Sequence, residues 1–348
     1  MASIFLCGPL AQLVSGTTHR VEGYALPDDR RCFPLPEKRS GGVLEGILSD
    51  AAGLGLLQEA LGGHVHALPD GAVIYARPDP QADWPGDWDA DTWARNWADI
   101  APYALREALG YAGQIDAPTL ARRMPMIMSR AASQAAAQTS VPADIRSDRS
   151  HDSVEVAFVD TPHAGFFLTR SYQLRHPRFD GGVSDLLARE VFVATDAAIV
   201  LPYDPARDRV LLVEQFRMGP FGRGDARPWV LEPVAGRVDA GETPEATAHR
   251  ECQEEAGLAL RGLEHISSHY CSPGASSEYF HCYLGLCNLP DMAQGQGGLS
   301  TEHEDIRTHV LPFEAASALL TSGEANNGPL VLMLMWLLAN RSRLRAAA

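Results

Sequence analysis

Three glutamates in the C-terminal half have the residue type and spacing to bind a metal ion. Glu251 and Glu255 are four residues apart, so on a helix they share one face, and Glu254 lies beside them. Arg250 is the one counter-cation nearby, and Glu242 in the preceding segment can pair with it. Hard oxygen ligands gathered in this way suit Mg²⁺ or Mn²⁺. For three glutamates taken alone, an acidic solvated helix face is the alternative interpretation.

The flanking residues predict the helix that carries these carboxylates. Thr243 offers an N-cap hydroxyl, and Pro244 suits the first helical position. Gly257 is a favourable C-terminal stop. We therefore expect a helix over residues 244–256. Cys252 falls on its apolar stripe, where a buried cysteine behaves as a small hydrophobe.

Length and charge narrow the classes of protein. A chain of 348 residues suggests two domains. The net charge of −15 argues against nucleic acid or an anionic membrane as the main partner. An anionic substrate stays compatible, because a metal and local arginines can reverse the field at one site. The longest apolar run, residues 330–339, is too short to span a bilayer, and we recognise no signal peptide.

The six cysteines show no metal-binding spacing. They form no Cys-x-x-Cys pair and no zinc pattern. Free thiols in a reducing compartment are the simplest account, so we expect a cytoplasmic protein.

A low-complexity segment divides the chain. Residues 129–150 are rich in Ala, Gln and Ser and contain few large apolar side chains. We place a linker there, between an N-terminal domain over residues 1–128 and a C-terminal domain over residues 151–348. In the C-terminal domain, strand-like segments precede the helix at 244–256, and more strands and then two helices follow it. This order predicts an α+β fold. The expected strands are 154–159, 165–174, 190–193, 197–201, 210–216, 228–231, 268–270, 279–287 and 308–311, and the last two helices are 313–321 and 330–343.

The pattern around the three glutamates resembles the Nudix box. Every fixed position is present, and Cys252 alone replaces the usual Ile, Leu or Val. The resemblance implies an α/β/α sandwich and a Mg²⁺- or Mn²⁺-dependent hydrolase that cleaves a nucleoside diphosphate linked to another group. The pattern consists of Gly236, Glu242 after five intervening residues, then, after seven more, Arg250-Glu251, Glu254-Glu255 and Gly257.

Further segments are similar to the ADP-ribose pyrophosphatase branch of that family. Pro273 lies sixteen residues after Gly257, as that branch prefers. The resemblance covers about residues 152–343 and implies ADP-ribose or a related nucleoside diphosphate sugar as substrate. The segments that carry it are 175–182, 188–190, 213–217, 229–236, 272–278 and 301–306.

This resemblance implies roles at the metal and at the attacking water. The backbone carbonyl of Ala235, with Glu251 and Glu255, is expected to hold Mg²⁺, and Glu304 to complete the metal set. Glu302 is expected to orient or deprotonate the water, with Glu254 as the second candidate for this role. A solvated loop is the alternative interpretation for residues 302–304.

The resemblance also implies substrate contacts and a homodimer. Arg217 is expected to bind the diphosphate, and Glu278 the nucleotide or ribose side. In this branch the N-terminal strands of the domain exchange between subunits, so Arg189 and Glu190 are expected to reach the partner's site, with Phe166 stacking on the base. The alternatives are a surface position for Arg217 and a simple ion pair for residues 189–190.

The N-terminal domain resembles the γ-glutamylcyclotransferase-like fold, a small β-barrel with helices. Residues 4–10 match the opening strand and turn, although Cys7 and Pro9 replace the usual tyrosine and hydroxyl residue. Leu61 stands where the catalytic acid is expected, so we expect no cyclotransferase activity. The fusion of these two domains is similar to tellurite-resistance proteins of the TrgB type.

Three functions follow from these resemblances. The first is hydrolysis of ADP-ribose or a related nucleoside diphosphate sugar to a nucleoside monophosphate and a sugar phosphate. The second keeps the mechanism with a GDP-mannose-type substrate. The third is a non-catalytic ligand-sensing Nudix module, which usually has a broken box and a DNA-binding helix pair. This chain has an intact box and no basic helix-turn-helix pattern.

Overall fold

The computed structural model describes residues 2–79, 84–139, 144–290, 295–297 and 305–347. The chain divides into two compact units, Met1–Arg146 and Ser147–Ala348. The prediction of a linker over residues 129–150 is wrong for its first part, because residues 129–136 form the end of a helix over Ala117–Ala136. Ser129 and Ala131 are buried in this helix. The small residues that suggested a low-complexity linker therefore pack inside the first unit.

The first unit contains one five-stranded sheet and five helices among its described residues. The strand order is β2-β3-β1-β5-β4, and β1 and β5 are parallel while the other pairs are antiparallel. Apolar side chains from β1, β2, β3 and β5 contribute to its core. The elements are β1 (Ile4–Cys7), α1 (Gly8–Leu13), β2 (Thr17–Ala25), β3 (Glu37–Ser49), α2 (Leu54–Ala60), β4 (His64–Ala67), β5 (Val73–Ala76), α3 (Ala90–Trp97), α4 (Ala101–Gly110) and α5 (Ala117–Ala136).

The second unit begins with three strands and continues into a larger mixed sheet. The elements are β6 (Glu155–Ala164), β7 (Leu168–Arg175), β8 (Leu187–Val193), β9 (Asp196–Asp204), β10 (Arg209–Phe216), α6 (Met218–Arg223), β11 (Trp229–Glu232), β12 (Val234–Arg237), α7 (Pro244–Ala256), β13 (Gly262–Tyr270), β14 (Tyr279–Leu286), β15 (Gln296–Gly297), β16 (Ile306–Pro312), α8 (Phe313–Ser322) and α9 (Gly328–Ala346). Strands β6, β7 and β8 form a separate antiparallel sheet.

The larger sheet has the order β13-β14-β9-β10-β16-β15. Strands β9 and β10 pair over two residue pairs, and β11 then pairs with β10 while β12 pairs with β9. Successive side chains on β9 point to opposite faces. Leu201 packs in a core with α8 and α9, whereas Val200 packs in a second core with α7. The sheet is therefore enclosed by helices on both faces, and the expected α+β class and α/β/α arrangement are confirmed.

The predicted elements agree best for helix α7, whose end signals are strong, and for strands that are runs of apolar and β-branched residues. Helix α7 has the expected bounds, and β9, β10, β14 and α9 lie at the expected places. Helix α6 and strand β12 were not predicted. In the described part of the chain, no helix combines the length and the apolar character needed to cross a bilayer.

Candidate active site

Helix α7 is fixed at both ends by the residues that predict it. The hydroxyl of Thr243 accepts a hydrogen bond from the backbone N–H of Ala246 at 3.2 Å, and Pro244 occupies the first helical position. Gly257 ends the helix in the left-handed region, at φ 62°. The register of the carboxylates on this helix is thus set locally by the sequence.

The buried stripe of α7 turns its glutamates toward strand β12. Ala248 and Cys252 are fully buried against β9 and β12. Cys252 therefore acts as the small hydrophobe expected, and burial raises the pKa of its thiol. On the adjoining face, Glu255 is 2% exposed and the side chain of Glu251 is 13% exposed. Both carboxylates are held at the packed interface between helix and sheet.

The two carboxylates meet the backbone of β12 at adjacent residues. The N–H of Ala235 donates to Oε2 of Glu255 at 3.3 Å. A Cβ atom added to Gly236 would lie 1.9 Å from Cδ and from Oε1 of Glu251. The absence of a side chain at Gly236 is therefore what allows the strand to approach this carboxylate. Hard oxygens from two glutamates beside backbone peptide groups fit a divalent cation such as Mg²⁺ or Mn²⁺.

Arg250 contacts more of the acidic cluster than expected. The expected pair with Glu242 is present, at 3.0 Å, and Nη1 of Arg250 also donates to Glu251 at 2.6 Å and to Glu254 at 3.0 Å. Nη2 donates to the carbonyl of Arg237 at 3.2 Å. The hydrogen bond from Arg250 lowers the pKa of Glu242. The cluster is therefore partly neutralised by one guanidinium that also joins α7 to β12.

A cavity of about 340 Å³ lies beside these groups. Its lining includes Ala235 and Gly236 from β12, and Arg217, Glu232 and Glu278 from other parts of the chain. The structure thus brings two expected substrate-binding residues, Arg217 and Glu278, to the same cavity as the expected metal ligand Ala235. The remaining lining residues are Thr195, Ala197, Ile199, Pro233, Arg237, Phe280, Asn327 and Pro329.

Glu232 is a candidate functional residue that the sequence did not reveal. Nε of Arg217 donates to Oε2 of Glu232 at 2.7 Å. Glu278, which also lines the cavity, accepts a hydrogen bond at Oε2 from the thiol of Cys271 at 3.0 Å. The sequence shows a carboxylate in the segment 229–236, but it does not show which residue this carboxylate contacts. Arg217 lies fifteen residues earlier, and the pairing of β10 with β11 brings the two side chains together.

Three expected substrate-binding residues lie outside this cavity. Arg189 and Glu190 are exposed on β8, opposite Tyr172 and Ser171 of β7. Phe166 is 70% exposed in the turn between β6 and β7, and does not line the cavity in the described part of the chain. Within the described ranges, none of these three residues lines the cavity of its own subunit.

Glu302 and Glu304 lie outside the described residues. Within the described ranges, no group of three or more His, Cys, Asp or Glu side chains is arranged to hold a metal ion. The described part of the expected metal set therefore consists of Glu251, Glu255 and the backbone at Ala235. The role of Glu254 as a base stays a prediction.

Comparisons with known proteins agree with this geometry. A NUDIX domain model matches residues 193–333. The ADP-ribose pyrophosphatase of Haemophilus influenzae is 38% identical over 200 residues, which cover 56% of this chain and 91% of that protein. The chain belongs to the Nudix family.

Two further Nudix relatives differ in the substrates that their names give. The ADP-ribose pyrophosphatase of Escherichia coli K12 is 38% identical over 194 residues, covering 56% of this chain and 92% of that protein. The GDP-mannose pyrophosphatase of Pectobacterium atrosepticum is 31% identical over 169 residues, covering 49% and 86%. The relatives of this chain are therefore named for two different nucleotide sugars.

Proposed function

We propose that this Nudix protein hydrolyses the diphosphate of ADP-ribose or a related nucleoside diphosphate sugar, giving AMP or another nucleoside monophosphate and a sugar phosphate. The observation that carries the proposal is the convergence of Glu251 and Glu255 on β12, whose Ala235 and Gly236 line the same cavity as Arg217. The names of the relatives at 38% identity support ADP-ribose as the first substrate to test.

A divalent metal at Glu251 and Glu255, together with Arg217, would suit an anionic group with two negative charges. Mg²⁺, or Mn²⁺, held by Glu251, Glu255, the carbonyl of Ala235 and Glu304, would neutralise the diphosphate and acidify the attacking water when bound. Arg217 binds diphosphate oxygens through a planar guanidinium that can engage two of them.

Glu302 is our proposed general base. A base within hydrogen-bond reach of the water removes its proton as the water attacks phosphorus. Glu254, the second candidate, already accepts a hydrogen bond from Arg250 at 3.0 Å, which occupies part of its acceptor capacity and favours Glu302. Glu302→Gln should lower kcat on the order of 10²-fold with substrate affinity nearly kept. An unchanged kcat would transfer the role to Glu254.

The activity is tested with a panel of nucleoside diphosphate sugars, each assayed with Mg²⁺, with Mn²⁺ and with a chelator. We expect ADP-ribose to give AMP and ribose phosphate in a metal-dependent reaction. GDP-mannose is the second candidate, because GDP-mannose pyrophosphatases are among the relatives. Binding of a nucleotide sugar without turnover of any member of the panel would instead support the ligand-sensing module.

We propose that the active form is a homodimer. Every residue of β6 except its last is exposed, including Val156, Phe158 and Val159 at 45%, 56% and 45%. A strand exposed on both faces and bearing large apolar side chains needs a cover, and the small sheet β6-β7-β8 offers a second copy both an edge and a face. Exchange of these strands would take Arg189, Glu190 and Phe166 to the partner's site.

Mixed dimers test this exchange. Arg189→Ala and Glu255→Gln are each expected to inactivate their own homodimer. In a mixed dimer, one site combines an intact Glu255 with an intact Arg189 from the other subunit, so co-expression should restore activity above either variant. A monomeric wild-type protein, or no recovery in mixed dimers, would contradict the proposal.

For the N-terminal unit we propose a γ-glutamylcyclotransferase-like domain without that activity, followed by a linker and a catalytic domain over about residues 151–348. Leu61 is the C-cap residue of α2, and Glu59 is exposed on the same helix. Release of 5-oxoproline from γ-glutamyl substrates, abolished by Glu59→Gln, would overturn this. We also propose that the protein is located in the cytoplasm. The similarity of the two-domain arrangement to tellurite-resistance proteins stays a prediction.

A further inference from the structure

Arg217 and Glu232 form an ion pair inside the candidate substrate cavity. Nε of Arg217 donates to Oε2 of Glu232 at 2.7 Å, and both residues line the cavity. The side chain of Glu232 is more buried than that of Arg217. A guanidinium has five N–H donors, and this bond uses the single one on Nε. Within the described ranges, the donors on Nη1 and Nη2 make no hydrogen bond to another residue.

The backbone around Glu232 is held from two sides. Glu232 pairs with Val213 of β10, and the N–H of Arg217 donates to the carbonyl of Pro228 at 3.0 Å, which closes the β10–β11 hairpin. On the other side, Nδ2 of Asn327 donates to the carbonyl of Leu231 at 2.7 Å and joins β11 to the start of α9. The backbone that carries Glu232 is therefore anchored and its side chain is 18% exposed, whereas the longer side chain of Arg217 is 41% exposed.

We propose that Glu232 is a positioning residue that holds the Arg217 guanidinium so that Nη1 and Nη2 bind the diphosphate. This inference rests on the proposed function. Holding an arginine side chain in one rotamer costs a large conformational entropy. The hydrogen bond to Glu232 imposes this cost before the substrate binds, so substrate binding does not have to overcome it. Glu232 also places a negative charge near an anionic ligand. Its bond to Arg217 must therefore favour binding by orientation rather than by charge.

Two substitutions separate orientation from charge. Glu232→Ala removes the acceptor, and we expect KM for ADP-ribose to rise about tenfold, with a smaller loss of kcat. Glu232→Gln keeps an acceptor oxygen and removes the charge, so KM should stay within about threefold of wild type. Glu264→Ala is the matched control, because Glu264 pairs with Arg343 on the same unit but does not line the cavity.

A second readout requires the effect to act through Arg217. In an Arg217→Ala background, Glu232→Ala should add less than a twofold change, because the two residues act as one unit. Inhibition by ADP should weaken about tenfold in Glu232→Ala, and inhibition by adenosine, which lacks the diphosphate, should not change. These measurements use the full chain, with the melting temperature of each variant recorded.

The outcomes distinguish this inference from the proposed function. If the wild type neither hydrolyses nor binds nucleoside diphosphates, both the proposed function and this inference are wrong. If the wild type is active and Glu232→Ala keeps KM and kcat within twofold, the inference alone is wrong. If Glu232→Gln is as impaired as Glu232→Ala, or if the two losses at Arg217 and Glu232 simply add, positioning is also wrong. Should Glu232→Ala not fold, Glu232→Leu, which fills the space without an acceptor, is measured in its place against the same limits.

Discussion

We expect Gly236→Ala to inactivate the enzyme without unfolding it. The new Cβ atom would lie 1.9 Å from the carboxyl carbon of Glu251, so this carbon must move by about 1.5 Å to reach ordinary van der Waals separation. The clash is with the end of a flexible side chain, which can turn aside while the strand stays in place. Misplacement by about 1 Å can cost on the order of 10²-fold in rate. We therefore expect kcat to fall by about 10²-fold, or roughly 2.7 kcal/mol of barrier.

The assay measures kcat for ADP-ribose hydrolysis over a Mg²⁺ titration, together with the melting temperature. Displacement of Glu251 also weakens its bond to Arg250, so stability should fall by at most about 2 kcal/mol. Gly262→Ala is the matched control, because it is also a strand glycine and its added Cβ would meet Leu286 at 3.9 Å, an ordinary contact.

A double substitution completes the test. If the alanine acts by displacing Glu251, then Gly236→Ala combined with Glu251→Gln should be no slower than Glu251→Gln alone, because both remove the same group. A folded Gly236→Ala protein with kcat within threefold of wild type would refute the reasoning. It would show that the position of Glu251 beside β12 does not matter for the reaction.

Three other outcomes are expected. The Glu251→Gln and Glu255→Gln variants should each stay folded and keep less than about a tenth of the wild-type kcat. The reason is that loss of a charged metal ligand should raise the activation barrier by at least ~1.4 kcal/mol. A variant that keeps more activity would argue against metal binding by that glutamate. A fragment over residues 150–348 should be dimeric and active by light scattering and turnover, and a folded, dimeric but inert fragment would assign part of the site to the N-terminal unit. Asp208→Asn should lower the melting temperature at pH 7: burial opposes ionisation of Asp208, but hydrogen bonds from Arg341 and Tyr203 hold its pKa below the ordinary value. A depressed pKa stabilises the fold above about pH 4 and loses this effect as the pH falls, so the wild-type advantage should shrink toward pH 3, and equal melting at pH 7 would contradict this.

The sequence alone determined the parts of the protein that depend on near neighbours. The N-cap at Thr243 and the stop at Gly257 set the bounds of α7, and those bounds fix which of its glutamates share a face. Runs of apolar and β-branched residues likewise located β9 and β10, because these strands bury both of their faces against helices. Helix α6 escaped prediction since Gly219, Pro220 and Gly222 weaken its helical signal.

The tertiary structure decided every contact that joins distant segments. Strand pairing brings Glu232 to Arg217, and it places Gly236 where Glu251 needs room. The sequence predicted that the guanidinium of Arg250 pairs with Glu242. Because α7 packs on β12, this guanidinium contacts three carboxylates and a backbone carbonyl. Spacing along one element is visible in the sequence because helix and strand geometry repeat. Registers between elements depend on how whole surfaces pack, so these partners appear only once the sheet and its helices are assembled.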